Sequence, residues 1–147
     1  MDVEIDLVLA PVDASDRSET AVEYAIAVAD RYGADLHLLH VLDERVQRGL
    51  EAGDVSAESV ADHHRTFGER VRKRLPGGVG LCRSSVAGFS SERLARTPGS
   101  VVLDAAEELG ADFLVVPRET PSEDPEETLA KSALYVLEYA SQPVLSV

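Results

Sequence analysis

The sequence predicts an open, doubly wound α/β domain: a five-stranded parallel sheet with helices on both faces, in three α/β/α layers. Three observations lead there. Short apolar runs alternate along the chain with segments whose apolar residues recur every three or four positions, the marks of strand and helix respectively. A strand, a helix and a second strand fit within residues 5–42, which calls for a right-handed crossover and parallel pairing. With 147 residues, 44% of them hydrophobic, the chain suits a single domain over 1–147 and leaves no room for a second core.

Residues 5–12, Ile-Asp-Leu-Val-Leu-Ala-Pro-Val, read as a buried strand closed by Pro11 and the polar string 13–18. From Thr20 onward Ala21, Val22, Ala25, Val28, Ala29 and Tyr32 share one helical face, Asp16 and Glu19 make a capping pair, and Gly33 supplies a left-handed stop. A second strand covers 36–42, and the polar stretch 43–55 with its two glycines reads as loop. A weaker helix from about Ser56 carries Val60, Phe67, Val71 and Leu75 before Pro76-Gly77-Gly78 breaks it. A third strand over 79–86 is interrupted by Arg83, Ser84 and Ser85, and 88–100 is irregular. A helix over 101–109, stopped by Gly110, leads into the clearest strand, 112–116. An acidic loop over 117–127 follows, then a helix over 128–140 with Leu129, Ala133, Val136, Leu137 and Ala140 inward, and a terminal strand over 144–147. Five strands thus alternate with four helices, without repeats or low-complexity tracts. Ligands in such sheets sit beyond the carboxyl ends of the strands, where strand order reverses, so the candidate site is the set of loops starting at Asp13, Asp43, Gly88 and Pro117.

Charge removes several function classes. Lys plus Arg total 14 against 27 Asp plus Glu, a formal net charge of −13, so a nucleic-acid backbone would meet mostly like charge. No apolar run approaches the roughly 20 residues of a membrane span, and the start lacks the basic-then-apolar pattern of a signal peptide. The expectation is a cytoplasmic protein without membrane insertion. Cys82 is the one cysteine, which excludes an intramolecular disulfide and a multi-cysteine metal site. Lys73 and Lys131 are the lysines, all other basic residues are arginines, and the acids are spread along the chain. That dispersed acidic coat resembles the lysine-poor, acid-rich bias of proteins from a salt-rich, halophilic cytosol.

Catalytic motifs are missing. Gly88-Phe89-Ser90-Ser91-Glu92 lacks the second glycine of a nucleophile elbow, and Cys82 reads as a small buried or half-buried thiol. His63 and His64 are adjacent on a helix, and His37 and His40 have odd spacing in a strand, so neither pair converges on a metal; all four read as surface or hydrogen-bonded histidines. Glu107-Glu108, Asp124 and Glu126-Glu127 read as solvated charges. No G-x-x-x-x-G-K-[ST] occurs, and Gly77-Gly78-Val79-Gly80 precedes a strand instead of opening a helix. Neither catalysis nor a metal is expected.

Four segments in order carry a resemblance: Pro11-Val12-Asp13-x-Ser15 after the first strand; Ala34-Asp35-Leu36-His37-Leu38-Leu39-His40-Val41 as the second; 105–116 around the fourth; and Pro143-Val144-Leu145-Ser146-Val147 at the end. Together they resemble the universal stress protein (UspA-like) family over essentially the whole chain. The resemblance implies a Rossmann-like five-stranded sheet of adenine-nucleotide-binding ancestry. It also implies a homodimer paired through the C-terminal strand, with Val144, Leu145, Ser146 and Val147 as the edge.

In the nucleotide-binding branch, the loop after the fourth strand carries G-x2-G-x9-G-[ST], whose glycines admit the phosphates to backbone amides and a helix N-terminus. This chain keeps the spacing and none of the residues: Pro117, Thr120, Ala130 and Lys131 stand at the four positions, with Arg118 and Ser132 beside them. Glu119, Glu123, Asp124, Glu126 and Glu127 crowd the same loop, where each like charge within ~4 Å costs about 1 kcal/mol even in water. ATP or AMP is therefore disfavoured and no cofactor is expected. Pro11, Val12, Asp13 and Val41 match positions near the adenosine end, so a nucleoside-sized ligand stays open; Asp13 reads somewhat better as a turn residue at the start of a helix. The stretch 89–97, from Phe89 to Thr97, is an insert of about ten residues relative to the family and lies on the ligand side of the sheet.

The leading expectation is a non-enzymatic stress-response binding or regulatory module. The alternatives are an adenine-nucleotide-binding member with a divergent phosphate loop and weak ATPase activity, and a soluble regulatory partner of a membrane transporter.

Overall fold

The computed structural model describes residues 3–13, 15–42, 44–87, 97–118 and 132–147. Ten elements occur among them: β1 (Leu7–Val12), α1 (Asp16–Tyr32), β2 (Asp35–Leu42), α2 (Glu44–Ala52), α3 (Ala57–Arg74), β3 (Leu81–Ala87), α4 (Pro98–Leu109), β4 (Phe113–Val116), α5 (Ala133–Tyr139) and β5 (Val144–Ser146). All five strands are parallel and lie in the order β3-β2-β1-β4-β5. The chain builds outward from β1 to β3, then returns to β4 on the other side of β1. The strand order reverses between β1 and β4.

Alternation along each strand divides the core in two. Val8, Ala10 and Val12 of β1, with Leu36 and Leu38 of β2, pack under Ala21, Val22, Ala25 and Ala29 of α1 and Val71 of α3. Leu9, Leu39, Val41, Leu114 and Val116 point the other way, under Val102 and Ala106 of α4 and Ala133 and Val136 of α5. The central strands are buried on both faces, which is why they read as continuous apolar runs without a polar alternation. Each fully buried Leu or Val side chain contributes about 1.5–3 kcal/mol relative to exposure.

Several expectations about the helices need correction. The polar stretch after β2 is not all loop, because Glu44–Ala52 is helical; Val46 and Leu50, four apart among charged residues, give it one apolar face, and its two glycines hid it. The helix after β3 starts at Pro98, not Val101: Thr97 and Ser100 form a reciprocal capping box, with Thr97 N–H donating to Ser100 Oγ at 2.9 Å and Ser100 N–H to Thr97 Oγ1 at 3.2 Å. Asp16 and Glu19 do not cap α1; Glu19 turns instead to Arg70 and Arg74 of α3, 3.6 and 4.0 Å away. Leu137, expected inward, is 47% exposed, since α5 aims Ala133 and Val136 at the sheet. Gly33 and Gly110 behave as read, ending α1 and α4 with φ of 66° and 69°.

The edge strand β3 explains its own weak signal. Cys82, Arg83, Ser84 and Ser85 are all exposed, so Cys82 is not the buried or half-buried thiol its strand position suggested. An edge strand that is not covered on both faces does not need apolar side chains.

Candidate functional site

Parallel pairing brings the carboxyl ends of β1, β2 and β4 to one edge of the sheet, and the reversal between β1 and β4 opens a crevice there. Pro11 and Val12 end β1 as buried residues, Val12 pairs with His40, and Val41 lies next along β2, also buried. The backbone of these residues is therefore fixed by sheet pairing before any ligand arrives.

Asp13 opens the loop from β1 to α1 and is committed to that turn. Its Oδ1 accepts from the Ser15 N–H at 2.9 Å, from the Ser15 hydroxyl, and from the Ser18 hydroxyl at 2.8 Å. The Asp13 N–H in turn donates to Ser18 Oγ at 2.8 Å. Ser18 is fully buried on the first turn of α1, so the carboxylate ties strand end to helix start where the helix lacks a capping side chain of its own. The signal for this bracket, Asp-x-Ser-x-x-Ser, was in the sequence.

On the far side of the crevice the chain leaving β4 stays in the sheet. Val147 donates its N–H to the Val116 carbonyl at 3.0 Å, and Arg118 donates its N–H to the Val147 carbonyl. Pro117 is buried and has no N–H. The first two positions after β4 therefore offer no free amide to a phosphate. Ser132 is buried at the start of α5, and its carbonyl accepts the Val136 N–H at 3.0 Å. Thr120, Ala130, Lys131 and the acids over 119–127 lie outside the described residues, as do Asp43, Gly88 and the insert over 89–96. Val144, Leu145, Ser146 and Val147 lie half-buried at the β5 edge of the sheet.

Two histidines distant in sequence meet beside this end of β2. The imidazoles of His40 and His64 stack with centroids 4.0 Å apart and planes within 8°, and Phe67 meets His40 edge-on at 5.6 Å. His64 Nδ1 is 2.7 Å from Ser85 Oγ, and His37 Nε2 is 2.8 Å from Ser84 Oγ on the opposite face of the sheet. These two histidines are hydrogen-bonded and His63 is exposed, as read. His40 is not: it is buried, and its Nε2 has no hydrogen-bond partner. Burial pushes its pKa down from 6.5 to about 3, with His64 and Arg83 adding repulsion. Burial also lowers His37 and His64. Stacked rings hold their nitrogen lone pairs side by side instead of converging, and among the described residues no three ligands gather around a metal.

The sequence profile of the universal stress protein family matches residues 4–147. The chain belongs to the universal stress protein family. Among solved structures, the universal stress protein UspA from Lactobacillus plantarum is similar at a TM-score of 0.72 and 22% identity, with 99% of each chain covered. A universal stress protein in complex with cAMP is similar at a TM-score of 0.68 and 21% identity, covering 99% of this chain and 98% of that one. A universal stress protein from Archaeoglobus fulgidus in complex with dAMP follows at 0.62 and 20%, covering 99% and 98%. No curated protein sequence matches the chain. At these identities the structures establish the fold, a three-layer universal stress protein fold on a five-stranded parallel sheet. Among its described residues, no helix of this universal stress protein is long and apolar enough to cross a membrane.

Proposed function

We propose that this universal stress protein is a cytoplasmic, non-enzymatic binding or regulatory module that does not hold ATP tightly and works as a homodimer. The observation that carries the reading is the chain leaving β4: Pro117 has no amide hydrogen, and the Arg118 N–H is taken by the Val147 carbonyl. Phosphate cradles depend on free backbone amides, and the sequence adds five carboxylates to the same loop. Asp13 supports the same conclusion, because its Oδ1 is occupied by the turn it closes. The β5 edge supports the dimer, since an apolar edge strand invites a second strand. The dispersed acidity fits a salt-rich cytosol.

A second reading, adenine-nucleotide binding through a divergent loop, is favoured by the similar structures that hold cAMP and dAMP. Mass spectrometry of nucleotide released from denatured protein, with calorimetric titrations of ATP and AMP in high KCl, separates the two. The proposed module releases no stoichiometric nucleotide and shows no saturable ATP heat; stoichiometric ATP overturns it. Light scattering of the same sample tests the dimer, and a monomer at all concentrations refutes it.

A further inference from the structure

Away from the crevice, α4 and α5 leave a groove of about 200 Å3 between them, bordered by the turn into β5. Its walls are Ser100, Leu103, Asp104 and Glu107 from α4 and Tyr135 and Tyr139 from α5. The two tyrosines are one helical turn apart, with ring centroids 4.8 Å apart and planes tilted by 48°, so they present two faces at an angle instead of a closed stack. Tyr135 is held by close packing on the first turn of α4: a Cβ at Gly99 would lie 2.8 Å from Tyr135 Cδ1. Both rings remain open to solvent, Tyr139 at 61%. Asp104 and Glu107 stand one turn apart on the facing wall, and among the described residues neither forms an ion pair. Among the described residues, no lysine or arginine lines the groove.

We propose that this groove binds a small quaternary ammonium cation, which lies against the faces of Tyr135 and Tyr139 with Asp104 and Glu107 supplying the counter-charge. The negative face of an aromatic ring attracts a cation within about 6 Å of its centroid, and the attraction is strongest for cations that shed water easily. A potassium or sodium ion, or a primary ammonium, would exchange its hydration for ring faces that donate no oxygen. A quaternary ammonium carries its charge on methyl groups, which suit the rings and Leu103 together. A guanidinium has five N–H donors to satisfy, whereas methyl groups need no acceptor. At about 200 Å3 the groove lies below the ~300 Å3 at which pockets for drug-sized ligands begin, which suits a small cation. The chain's net charge of −13 raises the local concentration of any cation.

The test is an NMR titration of the whole chain with tetramethylammonium chloride, run against KCl and guanidinium chloride at matched ionic strength. The chain has four tyrosines and no tryptophan, so Tyr24 and Tyr32 serve as internal controls for the rings of Tyr135 and Tyr139. The expected result is a saturable shift at Tyr135 and Tyr139 with tetramethylammonium alone. It weakens about tenfold or more in Tyr139→Ala, and likewise in an Asp104→Asn/Glu107→Gln double variant whose exposed positions leave folding intact. A linear shift, an equal shift with KCl or guanidinium, a response shared with Tyr24 and Tyr32, or indifference to both variants would overturn the proposal.

Discussion

Replacing Asp13 by Ala removes one carboxylate oxygen that serves three donors: the Ser15 N–H, the Ser15 hydroxyl and the Ser18 hydroxyl. Hydrogen bonds to a charged acceptor are worth about 1.5–3 kcal/mol each when buried, and less where water can replace the acceptor. Ser15 is partly exposed and water recovers most of its loss. Ser18 is fully buried, so its hydroxyl loses its acceptor outright while still accepting from the Asp13 N–H at 2.8 Å. The sum is about 2–3 kcal/mol, comparable to the upper end for loss of a helix cap. For a chain of this length that is a fall in Tm of roughly 5–10 °C. Asp13→Asn keeps an acceptor oxygen and should retain most of the stability, within about 1 kcal/mol of the parent. Ser18→Ala should cost a similar amount to Asp13→Ala, and the double variant should fall short of additivity by at least about 1 kcal/mol, because the two residues share their bonds. Denaturant melts of the parent and the four variants in the same salt decide the matter. A stability for Asp13→Ala within about 0.5 kcal/mol of the parent would refute the structural role and return Asp13 to the list of residues kept for a ligand.

The buried histidines make a pH-dependent prediction. The folded-state pKa of His40 lies near 3 against 6.5 for the free side chain, so the stability it supports is complete above about pH 6.5 and declines as pH falls toward 3. The slope is about 1.4 kcal/mol per pH unit for one such group, and His37 and His64 shift in the same direction. His40→Phe should flatten the stability profile between pH 6.5 and 4, and an unchanged slope would remove His40 as its source. Gly99→Ala should destabilise by about 1–3 kcal/mol in a thermal melt and move the Tyr135 ring signals, since the added methyl meets Cδ1 at 2.8 Å; a neutral effect would show that the helices shift apart freely. The dispersed net charge of −13 predicts a Tm that rises strongly with KCl, and a flat response up to molar salt would count against self-repulsion as a controlling term.

Local rules carried most of the fold because each acts over a few residues. The apolar runs of β1, β2 and β4, the glycine stops at Gly33 and Gly110, and the Pro76-Gly77-Gly78 break are signals of this kind. Where local signals conflicted, the reading failed. Glycines at 49 and 53 masked the one-sided pattern of α2, and the polar stretch of β3 weakened a strand that sits at the sheet edge. The capping box of Thr97 and Ser100 was present in the residues, but the irregular stretch before it drew the helix start to Val101.

The sequence by itself determined the α/β class, most of the element order and the acidity, because these depend on composition, spacing and periodicity. Tertiary structure alone decided which distant groups meet. The strand order reverses beside β1, His40 stacks on His64, Val147 takes the Arg118 amide, and Asp104 and Glu107 face Tyr135 and Tyr139. Each pairing joins segments separated by a crossover or a loop, and no periodicity along the chain encodes which side chains the packing of helix on sheet will bring within a few ångströms.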